Sequence, residues 1–356
     1  MITLLLDGTI TAVSPIAIIL PGSEDRRTPA GAPRKRLLRN GEMVETVYVP
    51  PSSLRGRLRH LLTSEVMRLQ HEQDGRVFTP ENYIDTALGG VKDRKAEGAD
   101  ERLVDLAGIR QLRERNPIVS LFGSMVSRVA GRLMVGDLTP LDPVASVPTG
   151  RSVRADPFVR NPAVIGLLDK DLFGQFTQLN ALRTQANRDE DQSEIVKRRA
   201  VVAKREGRAK DDVDALEQEA KALAEKAAVG FKSAGGAVNI QQLLDGYDVI
   251  PEGTVMAQRT RLLDATETEV ALLLLALHLF AQRPLIGGHT AHGCGEVMGS
   301  WELRVVEGGS ERKAGSALIE PFAGLSVESE DGLLKRAMDR ALNFKEEALG
   351  YDFRGA

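Results

Sequence analysis

The stretch YVPPSSLRGRLRHLL, residues 48–62, marks the point where the chain changes from strand to helix. The segment that leads into it, ETVYVP, reads as a short strand, and Pro50 and Pro51 then favour the start of a helix. We predict Ser52 or Ser53 as the N-cap. The apolar stripe of the helix consists of Leu54, Leu58, Leu61, Leu62 and Leu69. A helix with one leucine face must bury it, so we expect this helix to pack on the strands that precede it.

The same helix carries positive charge near its beginning. A helix N-terminus exposes free N–H groups and the positive end of the helix dipole, so arginines there are unfavourable unless an anion is present. This predicts a phosphate site built from the free N–H groups and four side chains: Ser52, Ser53, Arg55 and Arg59. Gly56 leaves room for the ligand. The alternative is a capped surface helix whose arginines are simply solvated.

A basic segment lies upstream of this helix. The window from Arg26 to Arg68 holds ten basic and three acidic residues, although the whole chain has a net charge of −3. PGSEDRRTPAGAPRKR, residues 21–36, is rich in proline and glycine and predicts a loop. The basic residues of this region that we expect to contact a polyanionic backbone are Arg26, Arg27, Arg34, Lys35, Arg36 and Arg39.

Composition sets the broad class of the protein. Its 356 residues, 42% of them hydrophobic, can bury a substantial core. A single cysteine, Cys294, excludes an internal disulfide framework and fits a reducing cytoplasm. MITLLLDGTITAV reads as an alternating strand rather than a signal peptide, and the apolar run 270–282 is too short to span a bilayer. We therefore expect a cytoplasmic protein without a membrane role.

The order of the elements predicts the fold class. Alternating strands are expected from Ile2 to Ile19, in GRLMVGDLTPL (131–141), in GTVMAQRTRLL (253–263) and after the glycine loop. TETE forms a capping box between Thr266 and Glu269, ahead of an all-apolar helix that should be central. Strands that alternate with helices in this order predict an α+β sheet with helices on one face, decorated by insertions.

One insertion is visible from its charge pattern. Residues 188–226 hold ten basic and eleven acidic side chains, with a thin apolar stripe of Leu216, Ala220, Leu223 and Ala227. Gly207 is the predicted break between two helices. A nearly balanced charge and a narrow stripe indicate an exposed helical hairpin.

The loop GGHTAHGCGEV, residues 287–297, combines glycines, histidines and the cysteine. A dinucleotide site is excluded, because these glycines follow a helix and precede a strand. A metal site made of His289, His292 and Cys294 lacks a fourth ligand, so no metal or other cofactor is predicted. We favour close approach of the loop to a phosphate or base through Gly287, Gly288, His289, Thr290, His292 and Gly293. The alternative is a purely structural turn.

Nothing in the chain predicts nucleophilic catalysis. Neither Cys294 nor any serine lies in a recognisable nucleophile elbow. Glu24 and Asp25 are the acids of the basic loop and are interpreted as charge balance. His278 lies in the apolar helix and is interpreted as a core residue.

Three segments together resemble a known family. VPPSSLRGRLR (49–59), SLFGSMVSRVAGRLMVGD (120–137) and LIGGHTAHGCGEV (285–297) are similar to motifs of the RAMP superfamily, in the Cas-seven-like backbone subunits of class 1 CRISPR effector complexes. His289 and His292 stand where relatives often have basic residues, which points to the type IV branch.

The resemblance implies a domain plan. The RRM-like, ferredoxin-like core would comprise 1–150 and 230–310, with a helical insertion at 71–116. A thumb would occupy 150–187, followed by a helical insertion at 188–229 and a C-terminal helical tail at 311–356. Thumb residues expected to contact the guide are Arg154, Phe158, Val159 and Arg160.

The resemblance also implies function and partners. Copies of the subunit would polymerise along a guide RNA (crRNA) and present it to a complementary target, which for type IV systems is DNA. Other effector subunits and a DinG-type helicase would be further partners in antiviral defence. Specificity would come from base pairing, while the protein grips the RNA backbone.

Catalysis by this subunit is not expected. Type III relatives cut target RNA with an aspartate in the loop before the PSSL helix, and the matching segment here, AGAPRKRLL, has Pro33 and Arg34 instead. Two other functions are kept as alternatives. One is a RAMP ribonuclease that uses Asp25 or a histidine, and the other is a cytosolic scaffold whose basic loop binds an acidic protein.

Overall fold

The computed structural model describes residues 1–18, 31–89, 106–125, 128–149, 152–154, 162–205, 207–235, 242–244 and 246–352. The strands are β1 Ile2–Ala12, β2 Arg34–Arg39, β3 Glu42–Val47, β4 Leu133–Val135, β5 Thr139–Pro140, β6 Val147–Pro148, β7 Ser152–Arg154, β8 Gln242–Leu244, β9 Asp248–Val249, β10 Val255–Ala265, β11 Val297–Glu307, β12 Ser310–Glu320 and β13 Gly324–Ser329. The helices are α1 Pro51–Asp74, α2 Pro80–Leu88, α3 Leu106–Arg115, α4 Pro117–Phe122, α5 Lys170–Arg205, α6 Lys210–Ser233, α7 Glu267–Gln282, α8 Gly332–Leu342 and α9 Lys345–Ala348. The chain forms two compact units, one of Met1–Thr149 with Gly246–Ala356 and one of Gly150–Asp245.

The first unit is built on a ferredoxin-like core. Along the chain its elements follow the order β1-α1-β4-β10-α7-β11, and in the sheet the strands lie in the order β11-β1-β10-β4, with every pair antiparallel. This is the β-α-β-β-α-β arrangement. β12 and β13 extend the sheet beyond β11. The predicted α+β class with an antiparallel, RRM-like core is confirmed.

The two core helices bury their apolar sides against one face of this sheet. Leu6 of β1, Leu54 of α1 and Leu273 of α7 line the same small internal cavity, so the three elements share one core. Alternation in β1 buries Leu4, Leu6 and Ile10 on this face, as expected for a sheet covered on one side. The leucine stripe of α1 is therefore buried as predicted, and the apolar α7 is central.

A buried carboxylate fixes α7 in place. Thr266 and Glu269 form the predicted capping box at its start. Glu269 is 3% exposed and also accepts hydrogen bonds from Ser120 (2.5 Å) and Arg132 (2.6 Å). Because a buried charge is tolerated only when it is paired, this network ties α4 and the segment before β4 to α7.

The second unit is mostly a helical hairpin. α5 and α6 pack lengthwise through small residues, among them Ala186, Ala220 and Ala227, which are buried. Gly207, with φ of +70°, lies between the two helices as predicted. The hairpin is longer than the predicted insertion at 188–229, because α5 already begins at Lys170.

Several predicted segments differ in extent or content from the elements that the structure shows. The segment 150–187, predicted as a thumb, includes the first part of α5, which begins at Lys170. Within this segment β7 pairs with β8, which is distant in the sequence. The C-terminal segment 311–356 is not all helical, since most of β12 and all of β13 lie in it; their alternating polar residues suit a sheet edge. The first strand ends at Ala12 rather than Ile19, shortly before Pro15 removes a backbone donor.

The helical insertion expected at 71–116 is also redrawn. Its first residues belong to α1, which continues to Asp74 and ends at Gly75 in a left-handed conformation. α2 and α3 supply the helices, and α4 begins at once after Asn116. No helix in the described residues combines the length and the apolar character needed to cross a membrane.

Candidate nucleic-acid interface

The start of α1 carries no side-chain cap. The prediction of Ser52 or Ser53 as N-cap is wrong, because Pro50 occupies that position and no side chain caps the helix. The Ser53 N–H turns back to the Pro50 carbonyl (3.0 Å). No acidic residue lies in the first turn, so the positive end of a 24-residue helix is left uncompensated by its own side chains.

Arg55 and Arg59 turn away from this helix end, towards α2 and α4. Both guanidinium groups lie over the ring of Phe122, at 5.8 Å and 5.9 Å from its centroid. Arg55 donates to the Phe122 carbonyl, and Arg59, which is 4% exposed, donates to the carbonyl of Thr86 (2.5 Å). Arg59 therefore lies inside the protein, where an external phosphate does not reach it, while Arg55 keeps an exposed portion.

The middle arginine of LRGRLR, which sequence reasoning passed over, has the opposite character. The Arg57 Nε is buried and makes no hydrogen bond within the described residues. Burial and the nearby charge of Arg283 both lower the pKa of Arg57. Arg283, at the end of α7, is exposed and makes no ion pair with any described carboxylate. Two neighbouring arginines without an acidic partner among the described residues form a cationic pair, and such a pair attracts anions.

The loop predicted at residues 21–36 does not extend to its last residues. The basic residues that the structure describes before α1 lie on β2 of the β2–β3 hairpin: Arg34, Lys35, Arg36 and Arg39. The residue types of this strand do not alternate, since Leu37 and Leu38 are adjacent, so its sequence gives no clear strand signal. Lys35 bonds to Asp137 (2.6 Å) and Arg34 to Glu45 (3.4 Å). Arg39 donates to the Leu141 carbonyl.

These ion pairs leave little of the predicted basic surface available. Arg36 is exposed and pairs in register with Glu45, without a side-chain bond among the described residues. Arg26 and Arg27 lie outside the described residues, as do Glu24 and Asp25.

The glycine loop between α7 and β11 is held by its own backbone. Gly288 and Gly295 donate to the carbonyls of Ala17 (2.8 Å) and Pro15 (2.9 Å), just after β1. A Cβ on Gly287 would collide with the Ala17 carbonyl, so this glycine is needed for close approach. The purely structural interpretation therefore accounts for part of the glycine pattern.

The histidines of this loop form a ring stack with Tyr247, another residue that sequence reasoning did not select. The rings of Tyr247 and His289 lie 3.9 Å apart and nearly parallel, at 7°. His292 continues the stack at 5.5 Å and 27°. The Tyr247 hydroxyl lies 3.5 Å from the Cys294 sulfur. Among the described residues no group of histidine, cysteine and carboxylate side chains could hold a metal ion.

A second charged cluster lies on the sheet face opposite the helices. Asp7 receives a hydrogen bond from Arg261 (2.7 Å) and another from Arg304, with Arg259 at 3.7 Å. Burial opposes ionisation of Asp7, but the two hydrogen bonds outweigh it and hold the pKa of Asp7 below its ordinary value. The alternation of polar and apolar residues within one strand does not predict this cluster. Its members belong to three strands, and they become neighbours through the pairing register of the sheet.

Of the four predicted thumb residues, the structure describes one. Arg154 ends β7 and pairs with Gln242 of β8 in the second unit. Phe158, Val159 and Arg160 lie outside the described residues. Among the described residues of the first unit, the structure stacks His289 with His292 and turns Arg59 into the interior.

Comparisons with known proteins give structural likenesses only. No protein-family model matches the chain, and no curated protein matches it. It is similar to a chain of a solved Type IV-B CRISPR Complex, at 16% identity and a TM-score of 0.42 over 86% of this chain and 92% of that one. It is also similar to Csc2 of Thermofilum pendens, at 12% identity and a TM-score of 0.34 over 99% of this chain and 78% of that one.

Proposed function

We propose that this protein is a Cas-seven-like, guide-RNA-binding backbone subunit of a type IV CRISPR effector complex. The observation that carries the proposal is the cationic pair of Arg57 and Arg283, which joins the uncapped start of α1 to the beginning of the glycine loop. Arg57 belongs to the first of the three segments on which the family resemblance rests, and Arg283 lies two residues before the third.

The chemistry of the pair favours a phosphate backbone. A guanidinium group held without a carboxylate loses solvation and gains nothing in return until an anion arrives. One partly desolvated guanidinium group at the first turns of α1 and a second, exposed one near it suit the closely spaced charges of a single strand. Arg55 and Arg59 lie on the opposite side of the helix, where they donate to carbonyls of α4 and α2.

The resemblance supplies the rest of the proposal. The subunit oligomerises along the guide and holds it for pairing with a complementary target, which is DNA in type IV systems. Other effector subunits and a DinG-type helicase act with it in the cytoplasm. It binds the target without cutting it, since the segment that would hold the catalytic aspartate has none.

Purification tests the proposal directly. The chain, expressed together with a CRISPR array, should retain RNA of narrow length distribution that ribonuclease removes. A chain purified free of nucleic acid, or with RNA of random length, would contradict a guide-binding role. Retention of an acidic protein in place of RNA would favour the scaffold alternative.

A further inference from the structure

The Tyr247–His289–His292 ring stack has a buried end and an open end. Tyr247 is half-buried, and its backbone is fixed to Thr149 by two hydrogen bonds, from the Thr149 N–H (2.8 Å) and to the Thr149 hydroxyl (2.9 Å). Its hydroxyl lies on the sulfur of Cys294, which is 6% exposed. His289 lies between the other two rings, and His292 is exposed. The stack is therefore anchored at one end and free at the other.

The backbone of this loop is mostly committed to internal hydrogen bonds. Gly288, His292, Gly293, Cys294 and Gly295 all donate their N–H groups to carbonyls of the loop or of the segment after β1. Those amides are not free to cradle a phosphate. What the loop presents outward is the pair of imidazole rings.

The loop backbone is strained where it places the first of these rings. His289 has a φ of +55°, a left-handed conformation that is unfavourable for a residue with a Cβ. Such strain persists only where the surroundings enforce it, and it often marks a functional position. Here it turns the His289 ring onto Tyr247, so that His292 can stack outside it.

The two inner rings of this stack, those of Tyr247 and His289, are suited to stacking rather than to charge. Burial and the nearby His292 lower the pKa of His289, which keeps its imidazole neutral at physiological pH. Burial and the contact with Cys294 raise the pKa of Tyr247 to about 12, so the phenol keeps its proton. Neutral aromatic rings offer a flat π-face, and single-stranded nucleic acids bind such faces through their bases.

We propose that the outer face of His292 is a stacking platform for one base of a bound single-stranded RNA, with His289 and Tyr247 as the rigid support beneath it. This inference rests on the proposed guide-binding function and specifies a contact to a base instead of a phosphate. A base flipped onto His292 extends the stack by one ring. The contact is tolerant of sequence, because every base has a π-face.

Binding of two matched RNA probes tests the platform. The probes are a labelled oligouridine of about ten nucleotides and a strand of the same length without bases. The proteins are the full-length wild type, His292→Ala, His292→Phe and the control His71→Ala, whose histidine is exposed on α1 away from the loop. Thermal melting of each variant checks that it is folded, and fluorescence anisotropy measures the dissociation constant.

The proposal predicts a result for each of the three variants. His292→Ala weakens binding of oligouridine about five- to tenfold, which corresponds to the lower range of base–aromatic stacking. It leaves binding of the abasic strand unchanged, because that strand has no base to lose. His292→Phe restores binding of oligouridine, and His71→Ala matches the wild type with both probes.

Other outcomes separate the two hypotheses. Equal loss with both probes, or failure of His292→Phe to restore binding, would show that the imidazole acts by charge or hydrogen bonding and would overturn the stacking platform. Unchanged binding by His292→Ala would overturn it as well. Absence of binding by the wild type to both probes would overturn the guide-binding function itself.

Discussion

The positive charge of Arg283 lies near enough to Arg57 to lower its pKa, and neither arginine has a carboxylate partner within the part of the chain that the structure describes. Two positive groups in this arrangement repel one another, and one of them is partly desolvated. The dipole of α7 favours Arg283 at its C-terminal end, but Arg57 has no such compensation, so we interpret the arrangement as preparation for an anionic ligand.

The first prediction concerns the salt dependence of RNA binding. Arg57→Ala and Arg283→Ala should each weaken binding with little dependence on sequence, because they remove phosphate contacts. Each should flatten the slope of log K against log salt by about 0.7, the value for one contact to a single strand. Filter binding at several salt concentrations measures the slope.

A matched control lies on the same helix. Arg68 is also on α1, but it is paired with Glu65 (2.7 Å) and Glu72 (2.6 Å). Arg68→Ala should leave the slope unchanged. An equal change for Arg68→Ala would mean that the slope reports net charge rather than a site.

The second prediction separates binding from stability. Arg57→Met keeps the aliphatic stem and removes a charge that is both desolvated and repelled, so the free energy of unfolding should stay equal or rise by up to about 1 kcal/mol. RNA binding should weaken at the same time. Urea denaturation and filter binding on one preparation test this, and a less stable Arg57→Met would show that the arginine has a structural partner.

The third prediction concerns Arg59. The sequence analysis assigned this residue to the phosphate site, whereas in the structure its side chain is buried. Arg59→Ala leaves the Thr86 carbonyl unpaired and empties the space between Phe122 and Gly89, whose backbone lies against the guanidinium. The free energy of unfolding should fall by about 2–3 kcal/mol, while the salt slope of RNA binding stays as in the wild type. A flattened slope at unchanged stability would return Arg59 to the phosphate site.

These arginines show what sequence could and could not predict. The strand-to-helix order, the leucine stripe of α1 and the capping box at Thr266 follow from local periodicity, and the fold class follows from them. Which side of α1 faces solvent near its start depends on α2, α4 and the end of α7, which are remote in sequence. Positions 55 and 59 share a side because they are one turn apart, and position 57 lies opposite them. The choice of Arg55 and Arg59 was therefore consistent as a pair, yet only the packing of Phe122 decided which side was the interior.

The fourth prediction is a pH dependence of stability centred on Asp7. A carboxyl whose pKa is lower in the folded state stabilises the protein above the unfolded pKa of about 3.9, and this contribution disappears as the pH falls through the folded-state value. Asp7→Asn should therefore lower the free energy of unfolding by about 1 kcal/mol at pH 7. The difference from the wild type should shrink as the pH falls below about 4.

Urea denaturation at a series of pH values measures this difference. Glu72→Gln is a suitable control, because Glu72 is an exposed partner of Arg68 on α1 and should contribute little at any pH. A difference between wild type and Asp7→Asn that stays constant across the pH range would show that the Arg261 and Arg304 contacts stabilise the neutral group equally well.

The last prediction concerns the absence of strand cleavage. RNA cleavage in which the 2′-hydroxyl attacks the adjacent phosphate needs a general base that removes the hydroxyl proton. The basic segment before α1 has many hydrogen-bond donors but few side chains that can act as this base. Asp25 is its one aspartate, is followed at once by Arg26 and Arg27, and lies upstream of the position at which the resemblance would place a catalytic acid. Assembled complexes should therefore hold a complementary labelled strand intact, and Asp25→Ala should behave as the wild type does. Fragments at regular spacing that appear with the wild type and vanish with Asp25→Ala would establish the ribonuclease instead.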